Sequence, residues 1–99
     1  MSQVVTLTAR MSLKQPADAI VRAALIDLAD AVRQEPGCLE YRPHMGADDS
    51  RHVLFYERWT SRDALDLHAK APALTAFHAA MAGRVAGPSE LDFWERLKE

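Results

Sequence analysis

The segment His52–Trp59 constrains this chain more than any other. In an extended conformation Val53, Phe55 and Trp59 point to one side, and Leu54 and Tyr56 to the other. A strand that is apolar on both sides has to be covered on both sides. The segment is therefore expected at the centre of a sheet, with helices on one face and another apolar surface on the second. Glu57 shares the row of Phe55 and Trp59, and a buried carboxylate needs a partner. A structural ion pair or a dimer contact meets that need; a catalytic base is the alternative reading.

The remaining elements arrange themselves around this strand. Val4 to Leu13 alternates, with Val5, Leu7, Ala9, Met11 and Leu13 on the apolar side. Pro16 suits the first turn of a helix. From Ala17 to about Gln34 the period becomes helical, with Val21, Ala24, Leu25, Leu28 and Val32 forming a stripe and Asp18 spaced to pair with Arg22. Glu35-Pro36-Gly37 stops that helix. Cys38 to Met45 reads as a strand with Leu39, Tyr41 and Met45 on one face, and Pro43 places it at a sheet edge. Gly46 to Arg51 is a polar hairpin turn.

After the central strand, Thr60 with Asp63 resembles a helix cap. The helix breaks at Ala71-Pro72, and a second begins there with Leu74, Phe77, His78, Met81 and Val85 on one stripe. Ser89 to Leu97 is a last strand, Leu91, Phe93 and Leu97 facing opposite to Trp94. The order β-α-β-β-α-β predicts an α+β, ferredoxin-like fold: a four-stranded antiparallel sheet with both helical segments on one face. The 99 residues form one domain, 1–99. Helices on one face leave Leu54, Tyr56 and Trp94 uncovered, which predicts a homodimer packed sheet against sheet into an α+β barrel.

Several function classes lose support here. A net charge of −2 gives no footprint for nucleic acid or an anionic membrane. No apolar run approaches the roughly 20 residues that span a bilayer. Met1-Ser2-Gln3 lacks the basic and apolar regions of a secretory signal, and the lone Cys38 has no internal disulfide partner, so a cytoplasmic location is expected. There is no H-E-x-x-H, no C-x-x-C and no Gly-rich phosphate loop, so neither metal nor nucleotide is expected.

Glu35-Pro36-Gly37-Cys38-Leu39-Glu40-Tyr41, then Phe55-Tyr56-Glu57-Arg58-Trp59, then His68, Ala71-Pro72 and Phe77-His78 make a pattern across nearly the whole chain. In that pattern the chain resembles the antibiotic biosynthesis monooxygenase family, dimeric ferredoxin-like proteins of about this length. The resemblance implies a cofactor-independent monooxygenase. A pocket between sheet and helices would take a quinol or polyphenolic aromatic. A base would deprotonate the substrate, and the anion would react directly with molecular oxygen. The family hosts other roles, so a non-catalytic small-molecule binding dimer stays open, as do an isomerase and a haem-handling protein. The haem-degrading branch shares a histidine at the position of His78, but its asparagine and tryptophan are replaced here by Ala9 and His68.

On that basis the expected catalytic residues are His68, Trp59 and His78, the histidines because imidazole titrates near neutral pH. Tyr56, Phe77, Met81 and Tyr41 are the expected substrate-binding residues. Each has a plainer reading: His68 as a buried histidine bonded to a carbonyl, His78 as a structural residue, and Trp59, Tyr41 and Tyr56 as packing or dimer contacts. Cys38 is expected to be small and buried, His44 and His52 exposed.

Overall fold

The computed structural model describes residues 3–98, so the Met1-Ser2 part of the N-terminal reading lies outside the described residues. Its elements are β1 (Val5–Ser12), α1 (Ala19–Val32), β2 (Cys38–Met45), β3 (His52–Trp59), α2 (Arg62–Ala69), α3 (Pro72–Ala80) and β4 (Glu90–Trp94). The four strands form one antiparallel sheet in the order β2-β3-β1-β4. This is the ferredoxin-like arrangement, with the second helical segment divided into α2 and α3. The break comes where Pro72 takes the first position of a new helix. No helix of the described residues is long and apolar enough to cross a membrane.

One face of the sheet carries the core. Leu7 and Met11 from β1, Tyr41 from β2, and Val53, Phe55 and Trp59 from β3 pack against Val21, Leu25, Leu28 and Val32 of α1, Leu65 of α2 and Phe77 of α3. Trp59 and Val32 are wholly inaccessible to solvent. Each large apolar side chain so buried stabilises the fold by about 1.5–3 kcal/mol. Pro43 does lie on an edge strand, where its missing N–H costs no ladder bond.

Four local expectations change. Asp18 does not pair with Arg22; it caps α1, accepting from the Val21 N–H at 2.9 Å, and meets Arg84 instead. Pro16 therefore precedes the cap and lies outside the first turn. The cap of α2 is Ser61, one residue after Thr60, and its hydroxyl accepts from the Ala64 N–H.

In β2 the register shifts between Cys38 and Glu40. The bulge inserts Leu39 as an extra residue, so Leu39 is exposed while Cys38 and Tyr41 both pack inward. Strict alternation cannot anticipate that flip. Finally, β4 is short, and Leu91, Phe93 and Leu97 are exposed rather than in the core. The helices pack chiefly over β2, β3 and one another, and Arg62 of α2 reaches over Phe93 of β4.

The second face of the sheet is mixed. Leu54, Tyr56 and Trp94 lie among Thr6, Thr8 and two ion-paired arginines. Arg58 reaches Glu40 and Arg10 reaches Glu90, each at 2.8 Å. This face is more polar than the alternation in β3 alone implies.

Candidate active site

A cavity of about 620 Å³ lies between the helix-facing side of the sheet and α2 and α3. That is an ordinary size for a small-molecule site. Leu7, Ala9, Phe55, Leu65, Phe77 and Met81 give it apolar walls. Three polar side chains enter those walls: Tyr41, Glu57 and His68, all nearly inaccessible to solvent.

The local sequence explains how His68 comes to be there. The Ser61 cap starts α2 so that Leu65 and His68, three residues apart, point to the same inward side. Gly37 brings the preceding turn against this helix. Its φ of +81° is a left-handed conformation, and a Cβ there would stand 2.5 Å from Cβ of Ala64 and 2.6 Å from Oγ1 of Thr60. The Thr60 N–H donates to the Gly37 carbonyl at 2.8 Å. The Glu35-Pro36-Gly37 turn is thus pinned beside α2, and Glu35 reaches His68.

The result is a connected polar array. Nδ1 of His68 lies 2.8 Å from Oε1 of Glu35, within hydrogen-bond distance. On the other side of the ring, Nε2 lies 4.0 Å from Oε1 of Glu57. That same oxygen accepts from Nε1–H of Trp59 at 3.0 Å. Trp59 stacks on His68, with ring centroids 4.7 Å apart, and Tyr41 meets the imidazole edge-on at 5.3 Å. Oε2 of Glu57 and Nε2 of His68 have no hydrogen-bond partner among the described residues, yet neither is sealed from solvent. Both residues line the cavity.

Electrostatics follow from burial. Desolvation pushes the Glu57 carboxyl above the usual carboxylate range, and the charge of Glu35 adds to this. The Trp59 N–H and His68 pull in the opposite direction. Burial pushes the Tyr41 phenol far up, with Glu57 and Glu35 adding, so Tyr41 stays protonated and can donate a hydrogen bond but not act as a base. The Cys38 thiol is also raised, by burial first.

The cavity mouth opens toward β4. The guanidinium of Arg62 stands 4.3 Å over the ring of Phe93, and Asp66 and His78 line the same rim. Among the described residues no three His, Cys, Asp or Glu side chains are grouped to hold a metal ion.

The expected residues divide accordingly. His68, Tyr41, Phe77 and Met81 line the cavity, and His78 stands exposed at its rim. Trp59 is outside the lining, buried behind His68. Tyr56 points to the opposite face of the sheet, beside Thr8 and Trp94, because residues 55 and 56 alternate in β3. Glu57 also lines the cavity, where its partner is the Trp59 N–H, and its place in the row of Phe55 and Trp59 is the signal that it is buried. Glu35 belongs to the helix stop and to the segment that carries the family resemblance, and no local pattern marks it as a partner of a residue 33 positions away.

Comparison with known proteins places the architecture in context. A family model described as antibiotic biosynthesis monooxygenase matches residues 4–80. Rv0793 of Mycobacterium tuberculosis, named provisionally as a monooxygenase, is 35% identical over 79 residues, covering 80% of this chain and 77% of that protein. Its structure superposes with a TM-score of 0.82 and 28% identity over 98% of each chain. The uncharacterized protein sll1783 of Synechocystis is 32% identical over 63 residues, 64% of this chain but 43% of that protein, so the chain spans less than half of this relative's length. SnoaB, a cofactor-independent oxygenase from Streptomyces nogalater, shares the fold, with a TM-score of 0.81 over 99% of this chain and 97% of its own, at 16% identity.

Proposed function

The chain belongs to the antibiotic biosynthesis monooxygenase family, and from that premise we propose that it is a cofactor-independent monooxygenase acting on a quinol or polyphenolic aromatic. The observation that carries this reading is His68 with a free Nε2 at the wall of an apolar cavity. A flat aromatic fits among Phe55, Phe77 and Met81, with its hydroxyl toward Nε2. His68 takes the hydroxyl proton as general base. The phenolate left behind is electron-rich enough to react with oxygen in a pocket with apolar walls. Tyr41 supplies a hydrogen bond to the substrate oxygen, and Trp59 supports the base from behind. His78 is assigned to the rim, where it meets the substrate on entry.

The active form proposed is a homodimer joined through the second face of the sheet. Leu54, Tyr56 and Trp94 supply its apolar contacts and the flanking arginines and carboxylates its polar ones. Sedimentation or light scattering that gives a monomer at micromolar concentration removes this part of the reading. A reducing, cytoplasmic setting suits the lone Cys38 thiol.

The test is oxygen consumption across a panel of hydroquinones and polyphenols in metal-free buffer, by the folded protein and by His68→Ala. Turnover that His68→Ala abolishes while thermal stability holds supports the proposal. Ligand-induced stabilisation with no oxygen uptake across the panel instead indicates a binding protein of the same fold.

A further inference from the structure

We propose that Glu35 is the positioning residue of this site, fixing His68 as the Nδ1–H tautomer so that the Nε2 lone pair faces the cavity, with Glu57 placed to receive the Nε2–H that forms when the ring takes a proton. The proposal deepens the monooxygenase reading, since it assigns the machinery behind the base, but its central claim concerns the free protein.

Hydrogen-bond capacity sets the tautomer. An ionised carboxylate only accepts, so the 2.8 Å contact between Oε1 of Glu35 and Nδ1 of His68 places the hydrogen on Nδ1. In a neutral imidazole the other nitrogen is then an acceptor. The ring is packed tightly in this arrangement. Trp59 is stacked on one side at 4.7 Å, Tyr41 stands at the edge, and the ring is 6% exposed. Glu35 itself is held by the turn that Gly37 fixes against α2.

Glu57 completes the arrangement. Its Oε1 is tied to Trp59 Nε1 and lies 4.0 Å from Nε2. That gap is too long for a bond to the resting lone pair, which an anionic oxygen would repel. Once Nε2 is protonated the repulsion becomes attraction, and the imidazolium lies between two carboxylates. The groups facing His68 are therefore Glu35 from the turn after α1, Glu57 from β3 and Tyr41 from β2. In the proton transfer the substrate O–H bond breaks, the Nε2–H bond forms, and the negative charge stays on the substrate oxygen.

The experiment is nitrogen-15 NMR of the histidine rings in the intact, ligand-free protein, with His68 assigned by its loss in His68→Gln. The expected wild-type spectrum at neutral to mildly alkaline pH shows His68 as Nδ1–H, with Nε2 unprotonated. Glu35→Ala is expected to move the ring toward Nε2–H, the form a histidine without that partner is free to adopt. With a turnover substrate, Glu35→Ala lowers kcat by at least about tenfold, within the roughly 10²–10⁴ that general-base catalysis supplies, and leaves KM nearly unchanged. A wild-type ring in the Nε2–H form, a ring doubly protonated throughout that range, or a tautomer unmoved in Glu35→Ala overturns the proposal. If Glu35→Ala does not fold, the wild-type tautomer alone decides. If the tautomer is as expected but the wild-type protein consumes no oxygen, the positioning stands and the monooxygenase reading fails.

Discussion

The imidazole of His68 lies nearly parallel to the indole of Trp59, with the rings 4.7 Å apart and their planes inclined by 29°. The same indole donates its N–H to Glu57. One tryptophan therefore sets the plane of the candidate base and the position of the nearest carboxylate, though it does not itself line the cavity.

Replacing Trp59 with Phe keeps an aromatic face for His68 and removes the only side-chain hydrogen bond to Glu57 among the described residues. The buried carboxylate loses its donor and a void opens behind the imidazole. We expect a loss of about 2–4 kcal/mol in chemical denaturation. A loss below about 0.5 kcal/mol contradicts the role assigned to this bond.

Glu57 offers a pH test. Burial places its folded-state titration above the ordinary 4.5. Above pH 4.5 the folded protein retains a proton that the unfolded chain releases, so this group lowers stability as pH rises through its folded value. Glu57→Gln cannot ionise. It is expected to be more stable than wild type by about 0.5–2 kcal/mol at neutral pH. The gain should vanish below pH 4.5, where both states hold the proton. A gain that is constant with pH refutes the charge explanation.

The close approach at Gly37 can be separated from its backbone conformation. Gly37 and Gly83 share a φ of +81°, but a Cβ at Gly83 meets nothing within 4 Å. Gly83→Ala should cost about 1 kcal/mol for the left-handed conformation alone. Gly37→Ala should cost about 2–4 kcal/mol, because Ala64 and Thr60 must also move. The extra cost should come with a displaced His68 resonance, since the turn carries Glu35. Equal melting shifts for the two variants would show that the turn can retreat freely.

Ala9 tests the cavity. It lies on the β1 floor, between Phe55 and Leu91 in the strand register. Ala9→Leu fills the space without touching the polar array. Thermal stability should stay within about 0.5 kcal/mol of wild type, while KM for an accepted aromatic rises at least about tenfold. Unchanged KM would place the substrate elsewhere.

Much of this molecule was legible from alternation and helical period. The row Val53-Phe55-Glu57-Trp59 proved wholly inward-facing, and of the stripe Val21-Ala24-Leu25-Leu28-Val32 all but the half-buried Ala24 proved buried, because burial on a regular element follows its period. The errors arose where the period breaks or where an element lacks a neighbour. Leu39 left the core at a bulge, and Phe93 stayed exposed at the β4 edge, with the Arg62 guanidinium over its ring. Tyr56 was expected at the pocket for its chemistry, but its even position in β3 sends it to the other face.

What the chain alone determined was the order of elements, the one-sided core and the presence of an inward histidine on α2, all consequences of local periodicity. Only the tertiary structure decided what that histidine does. Glu35 lies 33 residues before His68 and Glu57 lies on a different element. Their meeting depends on how a turn, a strand and a helix pack, and on Gly37 permitting contact that any side chain would block. Local pattern encodes which side of an element is buried; it does not encode which buried groups face one another. That is why His68 and Glu57 could each be read as inward-facing from the sequence, while their meeting, and the approach of Glu35, could not.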